Sequence, residues 1–404
     1  MPPSLPRWQR LSDPAAGPLI EAAADTDPGD VNAVAALRRR YDAEDVHAAL
    51  ELVDARRRGV AKFGDLAEAM MLDRVGVEQA SALDVARVKA GRLRELAGPG
   101  EAWDLCCGVG ADAMALAEAG FELTAIDRNA LRAWQTRSHV RLLTQREAWC
   151  RADDVTAVDV PSDAAVHLDP DRRPGGRRRL DAEQYTPGLD FARRLAERPG
   201  PTAVKLAPGV PASVLPGGSW QWISDAGRLV QAVWWSRPFD HATTASPAVR
   251  ATLVAPGGAA YDLTGEPGRP PPADLMGRYV YEADPAAERA RLLPVLCERH
   301  ALAEAHPGLG LLTGDEPADS PWLTGFEVLY RVPWRDRQPK RVQEVLAQHD
   351  AGIVEVKTRD KACDPDVVQK QLRGRGQQTL TVFVLRLGRR VEAWLTKRQA
   401  ASRR

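Results

Sequence analysis

Four residues in and after "WDLCCGVGADAMALA", residues 103–117, have the types and spacing of a nucleotide site. Asp104 stands four residues before Gly108, Gly110 follows, and Asp127 ends the next apolar segment. Glycine lets the backbone approach a ligand where a Cβ would obstruct it. A carboxylate at the end of the second strand suits ribose hydroxyls. The spacing therefore predicts a loop that binds a nucleotide-like ligand.

Two adjacent cysteines in this loop raise a second possibility, a metal site. Cys106 and Cys107 would point in opposite directions if the strand continued, so they could not readily bind one ion together. Neither a second cysteine pair nor a histidine cluster follows at zinc spacing. We therefore expect no metal and interpret both cysteines as small residues that pack beneath the loop.

Two nucleotide-like ligands remain as alternatives. The run from Gly108 to Ala113 fits the dinucleotide pattern G-x-G-x-x-A, and Asp127 has the matching position for a dehydrogenase. Asp104, however, would repel a pyrophosphate. S-adenosylmethionine (SAM), with an ammonium and a sulfonium group, would use this carboxylate instead. We expect Asp104 to accept from the methionine amine, directly or through water, and Asp127 to bind the ribose. Asp153 and Asp154 both remain candidates for the adenine amine.

The segment "HLDP" provides the candidate catalytic residue. In open α/β sheets the ligand lies beyond the carboxyl ends of the strands, where Asp169 and Pro170 are expected. Methyl transfer is an in-line displacement that depends mainly on positioning, and a carboxylate can bind the attacking amine or accept its proton. We predict Asp169 as the catalytic residue that binds the attacking amine or accepts its proton, and Pro170 as a substrate contact. Asp169 as a simple turn cap is the structural alternative.

Basic residues near this position predict contacts to phosphate. Lys205 ends the next strand and is expected to contact substrate phosphate or to pair with an aspartate. An arginine-rich loop follows Asp169, and phosphate binding and an ordinary solvated loop are both open for it. Its arginines are Arg172, Arg173, Arg177, Arg178 and Arg179, of which the first two are the predicted substrate contacts.

The elements that must position these residues are those of an α/β protein. A chain of 404 residues predicts two or three domains. Residues 1–97 have the apolar spacing of a helical region. Residues 98–263 alternate strands with helices, which predicts βαβ units and a mostly parallel sheet. Residues 264–324 form a Pro/Gly-rich linker and a helical connector, and residues 325–397 show a strand, helix, strand, helix, strand pattern.

The small C-terminal module is basic. From Arg331 onward there are 18 Lys and Arg against 8 Asp and Glu, although the whole chain has 55 of each sign. This asymmetry is typical of a protein with a polyanionic partner. We predict that Lys357, Arg359, Arg373 and Arg375 contact an RNA backbone. Charges that only keep the module soluble are the alternative.

Several motifs in order resemble a class I SAM-dependent methyltransferase: "DLCCGVGADAMALA", "LTAIDRN", "ADDVT" and "HLDPDRRP". With "FGDLAEAMMLDRVGVEQASALDVARVKAGRL" and "VEVKTRDKACDPDVVQKQLRGRG", the chain is similar to a bacterial methyltransferase family with a C-terminal THUMP-like domain. The resemblance implies a Rossmann-like sheet, SAM as cofactor, and RNA as partner, with a tRNA or rRNA base as acceptor.

One departure from related patterns keeps other acceptors open. Amino-group methyltransferases that the chain resembles carry (D/N)PP(Y/F) at this site, whereas here Asp171 and Arg172 follow Asp169 and Pro170. The resemblance therefore does not imply stacking on a base. A methyltransferase of a small molecule or protein, and a non-catalytic RNA-binding protein with this fold, remain alternatives.

Composition limits the cellular setting. No segment approaches the ~20 apolar residues of a membrane span, and the N-terminus lacks the pattern of a secretory signal. The five cysteines lack paired spacing, which argues against disulfides and favours a reducing compartment. We expect a cytoplasmic protein that binds neither membrane nor metal.

Overall fold

The computed structural model describes residues 4–171, 184–239, 248–334, 339–359 and 361–399. The chain divides into two compact units. The first comprises Met1–Asp225, Val230–Ala248 and Pro256–Ala260, and the second Ala226–Leu229, Val249–Ala255 and Tyr261–Arg404. Each unit has a β-sheet and a hydrophobic core of its own.

Helices fill the chain before the first strand, as the apolar spacing predicts. Asp30, Asp42 and Asp73 begin three of them by accepting first-turn backbone N–H groups. Trp8 and Leu52, both fully buried, pack in the core of this region. The helices are α1 Leu5–Leu11, α2 Gly17–Ala24, α3 Val31–Arg38, α4 Ala43–Phe63, α5 Arg74–Gln79 and α6 Leu83–Ala97.

The sheet of the first unit contains the predicted βαβ units. Its strands are β1 Glu101–Leu105, β2 Glu122–Asp127, β3 Trp149–Ala152, β4 Ala165–Leu168, β5 Thr202–Leu206, β6 Ser219–Asp225 and β7 Arg228–Trp235. They lie in the order β3-β2-β1-β4-β5-β7-β6. Strands β1 to β5 are parallel, and β7 is antiparallel to β5. The strand order reverses direction between β1 and β4, the usual position of a ligand crevice.

Helices connect the parallel strands. They are α7 Ala111–Glu118, α8 Ala130–Thr144 and α9 Leu189–Ala196. Helix α7 is buried along most of its length because its small side chains let it pack closely. Asn129 caps α8. Trp234 and Trp235 on β7 are buried, at 3% and 0% exposure, so both serve packing.

The second unit combines a mainly antiparallel sheet with helices. Its elements begin with strands β8 Ala248–Val254, β9 Ala260–Thr264 and β10 Tyr279–Ala283, and helices α10 Pro285–Arg289 and α11 Leu293–His300. Next come β11 Ala303–Glu304, β12 Leu311–Gly314, β13 Leu323–Pro333, α12 Lys340–Gln348, β14 Ala351–Thr358, α13 Pro365–Leu372, β15 Gln378–Leu387 and β16 Arg390–Arg398. Strands β10 to β16 form a seven-stranded sheet in the order β11-β12-β10-β13-β16-β15-β14.

The C-terminal module differs from its predicted pattern by one strand. The sequence predicts the alternation that ends in β15, but β16 follows after a tight turn and lies between β13 and β15. Charged residues such as Arg390 and Lys397 weaken the strand signal of this segment. Its inner residues Ala393 and Leu395 are nevertheless fully buried against α12 and α13.

Among the described residues, none of the helices has both the length and the apolar character that crossing a membrane requires.

Candidate functional site

A cavity of about 540 Å³ lies in the first unit, beyond the carboxyl ends of β1, β2, β3 and β4. This volume is within the range of small-molecule sites. Its walls come from the loop after each of these strands and from the helical segment before β1. Among its lining residues are Gln79, Ser81, Cys106, Gly108, Asp112, Asp127, Asn129, Asp153, Asp154, Asp169, Pro170, Asp171 and Thr186.

The loop after β1 has the predicted tight conformation. Cys106 and Gly108 both have positive φ, 65° and 58°, a region that a residue with a Cβ adopts only under constraint. The backbone N–H of Cys106 donates to Ile126 O at 2.8 Å, which ties the loop to β2. Gly108 lines the cavity, whereas Gly110 does not. A Cβ at Gly110 would come within 2.9 Å of Thr136, so this glycine serves close packing on α8.

Asp127 is the carboxylate at the end of β2 and lines the cavity. Its Oδ2 accepts from the Gly108 N–H at 3.0 Å, and its Oδ1 from the Asn129 N–H at 2.9 Å. Burial raises the pKa of this carboxyl, against the lowering effect of these two bonds. An ionised carboxylate has about four acceptor positions, so Asp127 retains capacity for two ribose hydroxyls.

Asp153 and Asp154 both line the cavity after β3. Asp154 Oδ1 accepts from the backbone N–H and the hydroxyl of Thr156, at 2.8 and 2.7 Å. These bonds lower the pKa of Asp154. Asp153 accepts from the Asp154 N–H at 2.8 Å and pairs with Arg151 at 3.2 Å. The geometry leaves both residues as candidates for the adenine amine.

Asp104 lies behind the cavity rather than on its wall. It is 0% exposed, and its Oδ1 is 2.8 Å from His167 Nδ1. The two residues are register partners on parallel strands β1 and β4, so their side chains share one face of the sheet. Burial raises the pKa of Asp104 although the His167 hydrogen bond lowers it. A direct contact between Asp104 and a ligand in this cavity is therefore not part of the observed arrangement.

Three polar residues from outside the sheet pack over the face that carries Asp104 and His167, and the sequence did not predict them. Lys89 of α6 is 1% exposed, and its Nζ lies 2.5 Å from Asp112 Oδ1. It also donates to Ser81 Oγ at 3.2 Å and lies 3.3 Å from His167 Nε2. Ser81 in turn donates to Asp112 Oδ2 at 3.0 Å. Asp112 and Ser81 line the cavity, so this buried network reaches the ligand side.

Asp169 and Pro170 lie at the cavity after β4, as predicted. Lys205 at the end of β5 donates to Asp169 Oδ2 at 2.6 Å. Lys205 therefore pairs with an aspartate, which is one of the two roles predicted for it. The Asp171 backbone pairs with Thr186, another lining residue. Arg172, Arg173, Arg177, Arg178 and Arg179 lie outside the described residues.

The helical region forms one wall of the cavity, which the sequence did not predict. Val75, Gly76 and Gln79 of α5 line it. Asp73, which caps α5, forms a two-pronged ion pair with Arg132 of α8. These bonds hold α5 against the sheet domain. An aspartate just before an apolar helix is a sequence signal for an N-cap. The sequence does not show, however, that Asp73 pairs with Arg132.

His139 of α8 joins the glycine loop to the helical region. Its Nδ1–H donates to Val109 O at 2.8 Å, and its Nε2 accepts from the Met71 N–H at 3.0 Å. Both ring nitrogens are therefore used by a neutral imidazole. Burial and nearby arginine charge lower the pKa of His139 to about 4, against the raising effect of its backbone bonds.

This histidine is expected to make stability depend on pH. An unfolded histidine takes up its proton near pH 6.5, whereas folded His139 does so only near pH 4. The unfolded state thus binds more protons between these values, and stability falls as the pH falls. From about pH 7.5 to about pH 5 this group should remove about 2 kcal/mol. Urea unfolding at several pH values measures the free energy of unfolding, and in His139→Gln this free energy should lack the loss described above. If it changes with pH equally in wild type and in His139→Gln, the assignment is contradicted.

The predicted RNA contacts of the second unit have two different environments. Lys357 Nζ lies 2.5 Å from Glu282 Oε2, and Arg359 lies 3.5 Å from the same carboxylate. Arg373 and Arg375 are exposed after α13 and form no ion pair with other described residues. The charges of the first two are therefore partly neutralised, and those of the second two face solvent.

The described residues contain no cluster of three or more His, Cys, Asp or Glu side chains that could hold a metal ion. Cys106 and Cys107 are free thiols whose pKa burial raises well above the ordinary value.

Comparisons with known proteins identify both parts of the chain. Residues 323–398 match the THUMP domain-like family. The chain is 32% identical over 349 residues to a protein from two strains of Mycobacterium tuberculosis, described as an uncharacterized S-adenosylmethionine-dependent methyltransferase. The match covers 82% of this chain and 90% of the relative.

A solved structure supports the same fold over nearly the whole chain. The crystal structure of a candidate methyltransferase from Porphyromonas gingivalis W83 superposes with a TM-score of 0.71 at 18% identity. It covers 89% of this chain and 92% of the other. At this identity the similarity concerns the fold alone.

The cavity itself fits SAM better than a dinucleotide. Asp127 has acceptor capacity for a ribose, and the described residues of the lining include more acidic than basic ones. The acidic ones are Asp112, Asp127, Asp153, Asp154, Asp169 and Asp171, against Arg128 and Arg132. Such a surface favours a cationic ligand and repels a pyrophosphate. The resemblance inferred from the sequence is confirmed: the chain belongs to the family of S-adenosylmethionine-dependent methyltransferases and carries a THUMP-like domain at its C-terminus.

Proposed function

We propose that this methyltransferase acts on RNA, with a base of tRNA or rRNA as the acceptor and the C-terminal unit as the docking module. The match of residues 323–398 to the THUMP domain-like family carries this proposal, because that domain is joined in one chain to the methyltransferase cavity. The basic excess from Arg331 onward supports it, since RNA backbones are polyanions.

Asp169 is the proposed catalytic residue. SAM supplies a methyl group on a sulfonium, so the protein need only position the acceptor and receive its proton. Lys205 donates to Asp169 Oδ2, and none of the described residues donates a hydrogen bond to Oδ1. This oxygen is available to accept from an acceptor amine and to align its lone pair. Pro170 would pack against the same acceptor group.

A direct test is methyl transfer to total cellular RNA. The full chain is incubated with SAM labelled on the methyl group and with RNA, a protein extract, or a small-molecule extract. We expect label in RNA, and digestion to nucleosides then identifies the methylated base. Label only in protein or small molecules would exclude RNA as the acceptor. Absence of label in all three, despite SAM binding, would favour the non-catalytic alternative.

The exposed arginines after α13 provide a quantitative test of RNA docking. Each phosphate contact contributes about 0.7 in a single strand to about 0.9 in a duplex to the slope of log K against log salt. The double variant Arg373→Ala/Arg375→Ala should therefore bind RNA more weakly and lower this slope by about 2. Filter binding at several salt concentrations measures both quantities.

The matched control for this double variant is Arg38→Ala/Arg39→Ala. These two arginines are also exposed and near each other in the sequence, at the end of α3 in the first unit. The control should leave RNA affinity and salt slope unchanged. If both double variants weaken binding equally, the basic residues act only as general charge and the C-terminal unit is not the docking module.

A cytoplasmic location belongs to the same proposal. Cys106, Cys107, Cys150 and Cys297 carry free thiols, as is usual for proteins of reducing compartments.

A further inference from the structure

The inner end of the cavity contains a polar group that none of the comparisons assigns. We infer that Asp112 and Ser81 bind the ammonium group at the methionine end of the cofactor, with Lys89 holding both residues in place. The inference concerns the cofactor only, so it is independent of whether the acceptor is RNA.

Unused acceptor positions face the ligand at this end. Asp112 is 7% exposed and Ser81 is 6% exposed, and both line the cavity. Asp112 uses one oxygen for Ser81 and lies with the other against Lys89. A carboxylate has about four acceptor positions, so two remain. Oδ1 is fully buried against Lys89, so a donor that approaches from the cavity would meet this carboxylate at Oδ2.

Ser81 adds a second acceptor at the same point. Its hydroxyl hydrogen is donated to Asp112, and one lone pair accepts from Lys89. The second lone pair is left for another donor. An ammonium has three donors and can therefore bind Asp112 and Ser81 together. A hydroxyl or an amide on the ligand would offer fewer donors and no charge.

The charge on Asp112 favours it over Asp104 for this role. Burial alone would raise the pKa of both carboxyls. At Asp112, however, the charges of Lys89, His167 and Lys205 outweigh burial and lower its pKa below the ordinary value. The pKa of Asp104 stays raised. Since Asp112 is ionised and on the wall, whereas Asp104 is fully buried against His167, the cation belongs at Asp112.

Lys89 neutralises part of the charge of Asp112 but does not occupy the ligand side of this carboxylate. Its Nζ contacts Asp112, Ser81 and His167 at once, and it is absent from the cavity wall. The three contacts fix the rotamer of Asp112, which would otherwise have to be ordered when the ligand binds. Lys89 is therefore a positioning residue for the ligand-binding carboxylate.

The test compares ligands that differ only at the methionine end. Calorimetry measures the affinity of wild type and Asp112→Asn for S-adenosylhomocysteine, for its analogue without the amino group, and for 5′-methylthioadenosine. For S-adenosylhomocysteine, we expect Asp112→Asn to lose about 10- to 100-fold in affinity, as for a hydrogen bond between charged groups. The analogue and 5′-methylthioadenosine should bind wild type and variant equally. Asp104→Asn is the matched control and should change the affinities for all three ligands by one common factor.

Two outcomes would overturn the inference. The first is an equal effect of Asp112→Asn on all three ligands, and the second is an amine-dependent loss in Asp104→Asn instead. If Asp112→Asn fails to fold, Ser81→Ala replaces it, because this change leaves the Lys89 pair intact. We expect Ser81→Ala to weaken S-adenosylhomocysteine several-fold and to leave the amine-free analogue unchanged. Equal binding of both ligands by wild type and Ser81→Ala would also contradict it.

Discussion

Replacement of Asp169 by asparagine is expected to slow methyl transfer by about 10²- to 10⁴-fold, the usual contribution of a general acid or base. The amide retains an acceptor oxygen but cannot receive the proton of the attacking amine. Affinity for S-adenosylhomocysteine should be unchanged, because none of the proposed cofactor contacts lies after β4. Label transfer to RNA under single-turnover conditions measures the rate, and calorimetry measures the affinity.

The control for this variant is Asp159→Asn, an exposed aspartate in the loop between β3 and β4 that is not among the cavity-lining residues. It should transfer methyl at the wild-type rate. Lys205 needs separate attention because loss of Asp169 leaves its buried charge without a partner. Thermal unfolding therefore accompanies the kinetics. A folded Asp169→Asn protein with the wild-type rate would remove Asp169 from the chemistry.

The sequence predicted the parts of the site that depend on local rules. Asp127, Asp153 and Asp169 follow parallel strands, and the carboxyl ends of such strands meet at one edge of the sheet. Their position at a common cavity follows from the strand pattern and needs no knowledge of packing. Gly108 was predictable for the same reason, since its positive φ is a property of the loop itself.

The placement of Asp104 depends on packing that a strand pattern cannot supply. Strand alternation gives two possible faces for a side chain, but not what covers each face. Here α6 and α7 bring Lys89 and Asp112 over the face that carries Asp104 and His167. A signal was present: Lys89 interrupts an apolar helix face that includes Val85 and Leu93. A lysine at such a position indicates a buried partner.

The contribution of the helical region was hidden for a related reason. Ser81 and Gln79 lie in a segment whose apolar periodicity accounts for helix packing and shows nothing about ligands. Their place at the cavity depends on the ion pair between Asp73 and Arg132, which are 59 residues apart in the chain. Pairing over this sequence separation requires the tertiary structure.

The second large effect is expected from Asp127→Ala, which should weaken the binding of SAM by about 100-fold or more, the loss of two hydrogen bonds to a charged group. The same change removes the acceptor for the N–H groups of Gly108 and Asn129, so the loop also loses its anchor. Calorimetry with SAM and with S-adenosylhomocysteine measures the affinity.

A ligand without the ribose 2′-hydroxyl separates these two causes. If Asp127 binds the ribose, wild type should lose affinity for the 2′-deoxy form of S-adenosylhomocysteine, whereas Asp127→Ala should bind both forms equally. If the loop anchor alone matters, the variant should still distinguish the two ligands as wild type does. Equal binding of both forms by wild type would show that the ribose lies elsewhere in the cavity. The carboxylate at the end of β2 would then act only through the Gly108 loop.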